Sequence, residues 1–405
     1  MNIRRSAALV AATVAIGAMG AQVASADSAS PSPKTVVPSG LYGKGDPTYD
    51  GVWRQSLALV AQDTVGVKPA AKAVDWLAGQ QCENGGFAAF RAEPTKPCDD
   101  KTKIDSNATA AAVQALAAVG GRDGEVAKGV DRLKKTQNAD GGWGYSLGMD
   151  SDANSTSVAI GALAAAGEKP SEVKSGKGKT GADALASLAL PCSKGKDGGA
   201  LAYQPDKKGK LAANADATAA GVLGALGTGF APGKGTAPDA YTCEDGKSAK
   251  DIAHNGAVYL QNQLDTHLYL KSQLAGATDQ PDYGNTADAV TAVAAAESVK
   301  ATKDSYTWLE KNAKGWAAQT GPAAYAELIF AAHATGNDPR DFGGTDLVSA
   351  LNKTGPEPAS TKSSTSEDEK KDDGGSGANW WIIGVMFIAA VGAGFLLSGR
   401  KKQQP

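Results

Sequence analysis

The densest run of side chains that could do chemistry is Asp150-Ser151-Asp152-Ala153-Asn154. A carboxyl in such a run can act as a general acid, and several of its oxygens can bind Ca²⁺. The glycine and the distal glutamate of a calcium loop are missing, however. Asp152 also stands directly before an alanine-rich segment, where an aspartate caps a helix. Capping is therefore the preferred interpretation, with calcium binding and acid chemistry as the alternatives.

The segment that begins at Asp152 has a close copy earlier in the chain. The two copies read DSNATAAAVQALAAVG at 105–120 and DANSTSVAIGALAAAG at 152–167. Each begins with residues typical of a helix N-cap and ends at a glycine, which suits a left-handed C-cap. Weaker copies begin at Asn214 and Asn285. At least four helices are thus expected to begin with the same polar side chains.

A second repeated block precedes each of the two close copies. The blocks read KAVDWLAGQQCENGGF at 72–87 and KGVDRLKKTQNADGGW at 128–143, so Gln81 and Gln137 are 56 residues apart. Together the two kinds of block make a repeat of about two helices, and periods of this size indicate stacked or closed arrays. The whole chain contains about twelve helix-like segments between residues 51 and 352. Its 50 glycines, many alanines and only 7 phenylalanines favour thin, closely packed helices.

The blocks at 72–87 and 128–143 resemble the glutamine–tryptophan motif of the squalene cyclase and prenyltransferase β-subunit repeat superfamily. The first block matches that motif at Lys72, Ala73, Trp76, Leu77, Gln81, Gly85 and Phe87. The second departs from it only at Arg132, which replaces an aromatic residue. The resemblance implies an all-α fold, an α/α toroid of about six inner and six outer helices. In such a toroid the inner helices begin at the capped blocks, and one end forms the ligand cavity.

The catalytic motifs of these families are missing from the sequence. Cyclases of the superfamily use an Asp-x-Asp-Asp acid, which does not occur here. Protein prenyltransferases bind zinc with Asp, Cys and His, whereas the histidines here are His254, His267 and His333, in no such arrangement. We therefore expect no catalytic residue, no metal and no cofactor, and the chain is interpreted as a binding protein rather than an enzyme.

An exported branch with similar toroids is the transcobalamin group, which binds corrinoids. By this analogy the expected function is to bind a bulky small molecule, a corrinoid-like ligand rather than a cofactor, for uptake through a membrane importer. The alternatives are a cyclase or glycan-active toroid enzyme, for which a pair of inward carboxylates would be needed, and a surface module that binds another protein.

The toroid interpretation also predicts which side chains would contact a ligand. Aromatic residues after the glycine pairs and polar residues at the starts of inner helices would share one rim. The expected ligand-binding set is Phe87, Phe90, Asp105, Asn107, Trp143, Tyr145, Asp152, Asn154, Tyr203, Asp216, Tyr283 and Asn285. Trp316 and Asn214 belong to the same pattern. The competing interpretation makes the first aromatic of each repeat a packing residue and the Asp and Asn side chains helix caps.

Four cysteines are an even set, and their spacing does not suit zinc. Three pairings are conceivable. Cys82–Cys98 and Cys192–Cys243 are preferred because each would close a local loop. Disulfides in turn favour an oxidising compartment.

The ends of the chain predict where the protein resides. Residues 1–26 have the pattern of a secretion signal, and 27–40 are expected to be flexible. The toroid domain is placed at 41–352, a disordered tether at 353–378, a transmembrane helix at 379–399 and a basic cytoplasmic tail at 400–405. The expected location is the cell membrane, with a single span and the helical domain outside the cytoplasm.

The overall charge of the chain excludes one class of partner. With 41 basic and 43 acidic residues, the net charge is −2. No overall positive field attracts a polyanion, so nucleic acid is not an expected partner. The expected partners are a small-molecule ligand, the membrane and an importer in it.

Overall fold

The structure is a computed structural model that describes residues 36–236, 242–273, 277, 279–297 and 299–359. All of them belong to the first of two compact units, Met1–Ser360 and Thr361–Pro405. The predicted signal peptide, transmembrane helix and cytoplasmic tail lie outside the described residues, as does most of the tether. No helix within the described ranges has the length and apolar character needed to cross a bilayer.

The described residues are mostly helical, which confirms the all-α class. The helices are α1 (Gly51–Thr64), α2 (Ala71–Gly79), α3 (Ser106–Val119), α4 (Asp123–Lys135), α5 (Ala153–Ala165), α6 (Gly181–Leu188), α7 (Ala215–Leu226), α8 (Ala249–His267), α9 (Tyr283–Ala296), α10 (Lys303–Asn312), α11 (Lys314–Thr320), α12 (Pro322–Thr335) and α13 (Leu347–Asn352). Short 3₁₀ turns lie at Cys192–Asp197, Val299–Thr302 and Pro339–Asp341. Two short strands, β1 (Leu270–Lys271) and β2 (Pro281–Asp282), pair in antiparallel fashion before α9.

The helices form two layers. In the inner layer α1, α3, α5, α7, α9 and α12 each pack on the next, and α12 packs on α1, so these six helices close a ring. The remaining helices lie outside: α2 and α4 on α3, α6 and α8 on α7, α10 on α9, and α11 and α13 on α12. One helix, α11, was not expected from the sequence.

Small residues let the inner helices approach one another closely. Gly224 of α7 packs on Ser157 of α5, and a Cβ built at Gly224 would lie 2.6 Å from the Ser157 Oγ. The apolar core lies between the two layers, where leucines such as Leu116 of α3 and Leu133 of α4 are fully buried. Burial of these leucines on both layers stabilises the ring through the hydrophobic effect.

A threonine at the start of an inner helix attaches each repeat to the segment before it. The hydroxyl of Thr109 accepts a hydrogen bond from the backbone N–H of Phe87 (2.9 Å), and Thr156 does the same for Trp143 (3.0 Å). Thr218 and Thr286 repeat this contact with the N–H groups of two leucines, Leu201 (2.9 Å) and Leu270 (3.0 Å). The repeat therefore extends to four units, although only the first two are clear in the sequence.

The motif glutamines hold the glycine turns. The side-chain amide of Gln81 donates to the Gly85 carbonyl (3.1 Å) and to the Glu125 carbonyl of α4 (2.8 Å). Gln137 donates to the Gly141 carbonyl (2.8 Å). The groups that these glutamines bind are therefore mainly turn carbonyls. A Cβ at Gly85, whose φ is +83°, would lie 2.1 Å from the Lys128 carbonyl oxygen, so this turn needs glycine.

Two disulfides join the pairs that the sequence favoured. Cys82 bonds Cys98 and Cys192 bonds Cys243, with Cα–Cα distances of 5.6 Å in both. No described cysteine is free. The bonds close loops of 16 and 51 residues, which restricts the unfolded chain.

Candidate functional site

The inner helices begin at the same end of the ring, and we call this end the mouth. Contacts between helix starts show the arrangement: Asn154, the second residue of α5, donates from Nδ2 to Asp216 Oδ2 (2.8 Å), the second residue of α7. The polar residues that begin successive repeats therefore lie side by side around the mouth.

Four carboxyl groups lie together at the mouth, and we call them the acidic cluster: Asp216 of α7, Asp282 and Asp288 at the start of α9, and Glu327 of α12. The helices α7, α9 and α12 are neighbours in the ring. Asp282 caps α9 by accepting from the Asn285 backbone N–H (3.1 Å). Asp216, Asp288 and Glu327 all remain partly exposed.

Burial and mutual repulsion raise the pKa of three of these carboxyls. For Asp288 burial is the largest cause, the charges of Asp216 and Asp282 add to it, and the pKa rises to about 8. The pKa of Glu327 is raised well above its usual range by burial and by the charges of the other three. The pKa of Asp216 is also raised, by burial first, although the hydrogen bond from Asn154 opposes the shift. The cluster therefore holds protons at pH values where an exposed carboxyl is ionised.

The sequence position of Asp288 and Glu327 is regular. Each stands six residues after the N-cap of its helix, Asp282 for α9 and Gly321 for α12. The corresponding residues of α3, α5 and α7 are apolar: Ala111, Val158 and Ala220. Sequence reasoning missed both acids, together with Asp282. An acidic residue at this position inside an alanine-rich helix was the signal that could have revealed them.

Aromatic rings line the mouth beside the acidic cluster. Tyr283 stacks between Trp316 (ring centroids 5.8 Å apart) and Trp308 (5.4 Å), and Trp308 stacks on Tyr269 (4.8 Å). All four rings are partly exposed. We call this row the aromatic stack.

A glycine separates the aromatic stack from the acidic cluster. A Cβ built at Gly284 would lie 3.1 Å from Glu327 Oε2 and 3.4 Å from a ring carbon of Trp316. Gly284 occupies the position that carries Asn107, Asn154 and Asp216 in the other repeats, two residues after each N-cap. A side chain at this position would be crowded, so the glycine allows Glu327 and Trp316 to lie close together beside it.

Several predicted ligand residues turn out to be helix caps. Asp105 accepts from the backbone N–H groups of Asn107 (2.7 Å) and Ala108 (2.9 Å), and Asp152 accepts from Ser155 N–H (2.7 Å). Both carboxyls are nearly inaccessible. Asn285 binds the cap residue Asp282 through its side-chain amide (2.8 Å). The run at 150–154 thus caps α5, as the preferred interpretation held.

Three predicted aromatic contacts pack against other parts of the fold. Phe87 and Trp143 are fully buried, so the prediction that they line the rim is wrong; both seal the space between the two layers. The Trp143 indole N–H donates to the Leu133 carbonyl (2.8 Å). Phe90 stacks on Trp76 of the outer helix α2, with ring centroids 6.5 Å apart.

Tyr145 and Tyr203 are more exposed than these three, at 41 % each. Their phenols lie close to the carboxyls of the buried cap residues, Tyr145 to Asp105 and Tyr203 to Asp152. Burial and the neighbouring Asp152 raise the pKa of Tyr203 to about 12. Of the predicted set, these two tyrosines, Asn107, Asn154, Asp216 and Tyr283 are the residues that share the mouth region without being caps or core.

The opposite end of the ring is filled by the chain itself. After α7 the segment 227–235, which we call the plug segment, crosses the ring: the backbone N–H of Phe230 donates to Gln114 Oε1 of α3 (3.0 Å) and that of Gly235 donates to the Ala294 carbonyl of α9 (2.8 Å). The Phe230 ring lies 5.4 Å from Trp53 of α1 and 6.3 Å from Phe330 of α12. A depression of about 410 Å³ remains outside the plug segment, lined in part by Asp63, Gln114, Phe230 and His333.

We assign the candidate site to the mouth rather than to this depression. The lining of the depression is mostly small residues and helix ends. The mouth combines convergent carboxyls of raised pKa with aromatic surface, which is the usual chemistry of ligand sites. In the part of the chain that the structure describes, no three histidine, cysteine or carboxylate side chains are arranged to hold a metal ion.

Comparisons with known proteins add little to this description. No family model matches the sequence, and no curated protein matches it. A solved structure of a protein from Actinoplanes is similar at 14% identity and a TM-score of 0.48, covering 75% of this chain and 96% of its own. A sugar epimerase from a ruminal bacterium is similar at 14% identity and a TM-score of 0.45, covering 67% of this chain and 80% of its own.

Proposed function

We propose that this protein is a membrane-anchored, extracytoplasmic ligand-binding protein built on an α/α toroid, and that it binds a bulky small molecule at the mouth. The closed ring of six helices with an outer layer supports the toroid, which is the arrangement that the repeat resemblance implies. The location rests on the sequence of the two chain ends, and the two disulfides suit an oxidising compartment.

The observation that carries the proposal is the chemistry of the mouth. Partly exposed aromatic rings stand beside carboxyls that lie deep enough for burial to raise their pKa. Isolated buried carboxyls cost stability, so they are kept where they serve a ligand or a reaction. A corrinoid is the ligand class that the transcobalamin analogy suggests, and delivery to an importer is the corresponding role.

Thermal unfolding of the full chain with candidate ligands tests the proposal. At a concentration 100 times its Kd, a bound corrinoid such as cobalamin or cobinamide should raise Tm by about 5 °C. Substitution Trp316→Ala should remove the shift, whereas Asp63→Asn, at the opposite end of the ring, should leave it unchanged. The proposal fails if no corrinoid, lipid or other small molecule changes Tm.

A second candidate, an acid–base enzyme acting on glycans, gains support from the same carboxyls. A pair of inward carboxyls is the condition for this alternative, and Asp288 and Glu327 are the candidate pair, because the charge of Asp288 helps to raise the pKa of Glu327. One protonated and one ionised carboxyl can act as general acid and base or nucleophile. Incubation with a panel of oligosaccharides, followed by product analysis, tests it: cleavage by the wild type that is lost in Glu327→Gln would favour the enzyme.

A further inference from the structure

The negative charges around the acidic cluster favour a ligand of positive charge. The charged groups that act on the pKa of Asp216, Asp288 and Glu327 are all negative. Neither Asp288 nor Glu327 accepts a hydrogen bond from another described residue. A phosphate or carboxylate ligand would add a like charge at this place, whereas a cation would relieve the repulsion.

The aromatic stack provides the second element. The faces of tryptophan and tyrosine attract cations, most strongly when the cation is partly desolvated. Trp316 and Glu327 both approach Gly284, to 3.4 and 3.1 Å from the position of an added Cβ, and both are partly exposed. Negative charge and aromatic surface therefore lie side by side at the mouth.

We infer that the mouth binds an organic cation, a protonated or quaternary amine carried on an apolar body. Asp288 and Glu327 supply the negative charge, and Trp316 and Tyr283 supply aromatic surface. This inference rests on the proposed ligand-binding function and specifies the chemical class of the ligand.

The test compares two probes of nearly equal shape, choline and its neutral carbon analogue 3,3-dimethyl-1-butanol. Their affinities for the full chain in a neutral maltoside detergent are measured by isothermal titration calorimetry at pH 7.5. We expect choline to bind at least ten times more tightly than the alcohol. We expect Asp288→Asn combined with Glu327→Gln to weaken choline binding at least tenfold and to leave alcohol binding unchanged.

Two further variants separate charge from packing. Trp316→Leu keeps an apolar side chain but removes the ring, and it should weaken choline binding about fivefold, the range of a partly buried cation–π contact. Asp63→Asn removes a carboxyl of raised pKa at the opposite end of the ring and should have no effect. The melting curve of each variant, followed by circular dichroism, shows whether it is folded.

The outcomes distinguish the inference from the function on which it rests. Equal affinity for the two probes, or choline binding that survives the double substitution, overturns the inference. If neither probe binds but a corrinoid raises Tm, the inference is wrong and the proposed function stands. If no ligand of any class binds, both fail.

Discussion

The two ends of the helical ring contain opposite kinds of side chain, aromatic at one end and acidic at the other. At one end the plug segment brings Phe230 between Trp53 and Phe330 and fills the interior with aromatic surface. At the other end the mouth brings together Asp288 and Glu327, whose charges repel each other. Both ends are built from the same repeated helices, so the difference lies in a few side chains and one connecting segment.

This difference shows which end of the ring stabilises the fold and which end destabilises it. Aromatic packing at the plug segment removes apolar surface from water and stabilises the ring. The buried carboxyls at the mouth destabilise it whenever they are ionised. An arrangement that costs stability at one end and gains it at the other is typical of a scaffold with one functional face.

The largest expected effect is at the plug segment. Phe230→Ala should lower the free energy of unfolding by about 2 kcal/mol, because it removes a partly buried ring with two aromatic neighbours. Chemical denaturation measures the change. A loss below about 0.5 kcal/mol, the size of an ordinary surface substitution, would show that the plug segment does not support the ring.

A substitution at the mouth should instead raise the free energy of unfolding. The pKa of Asp288 is raised in the folded state, so the folded protein binds the proton more tightly than the unfolded chain does. Stability is therefore fully present below the unfolded pKa of about 4 and falls as pH rises toward about 8. Asp288→Asn should raise the free energy of unfolding at pH 8 by at least about 1.4 kcal/mol, the value of one pKa unit.

The pH dependence is the control for this substitution. Denaturation of wild type and Asp288→Asn at pH 4 and pH 8 should show the gain mainly at pH 8, since the carboxyl is protonated in both states at low pH. Asp63→Asn should give a smaller gain, because burial alone raises the pKa of Asp63. Equal gains at both pH values would mean that the Asp288 charge is not the cause.

A substitution at Gly284 sharpens the comparison by changing shape without changing charge. Gly284→Asn restores the residue found at this position in the first two repeats and presses a side chain against Glu327 and Trp316. Ligand binding at the mouth should weaken about tenfold, measured by calorimetry. Gly124→Asn, at an outer helix with open space around it, is the matched control and should bind normally.

The smallest expected effect is the release of protons when a ligand binds. If a cation binds beside carboxyls of raised pKa, it favours their ionised forms, and protons leave on binding. The binding heat at pH 7 should then differ between phosphate and Tris buffers, whose ionisation enthalpies differ. Identical heats in both buffers would indicate that the carboxyls do not change protonation on binding.

Much of the architecture could be predicted from local patterns. The capped blocks at Asp105 and Asp152 predicted helix starts that the structure has, because capping is a short-range property of the chain. Both preferred disulfide pairs are present, one across 16 residues and the other across 51. The third and fourth repeats were weaker in sequence, since their leucines replace the aromatic residue of the motif, yet Thr218 and Thr286 keep the same contact.

The candidate site was predicted less well, for a physical reason. Capping and ligand contact use the same side chains, so the sequence could not separate Asp152, a buried cap, from Asp216, a member of the acidic cluster. Phe87 and Trp143 were ambiguous in the same way and belong to the core. Glu327 gave little local signal, because its role depends on helices far away in sequence.

The sequence by itself therefore determined the helical class, the repeat and the caps, which arise from contacts between nearby residues, and it favoured one of three disulfide pairings. Only the tertiary structure decided which acids meet. Closure of the ring brings α7, α9 and α12 together, so that Asp216, Asp288 and Glu327 repel one another and share the mouth with Trp316. Electrostatic interaction depends on distance in space, and that distance exists only once the ring has closed.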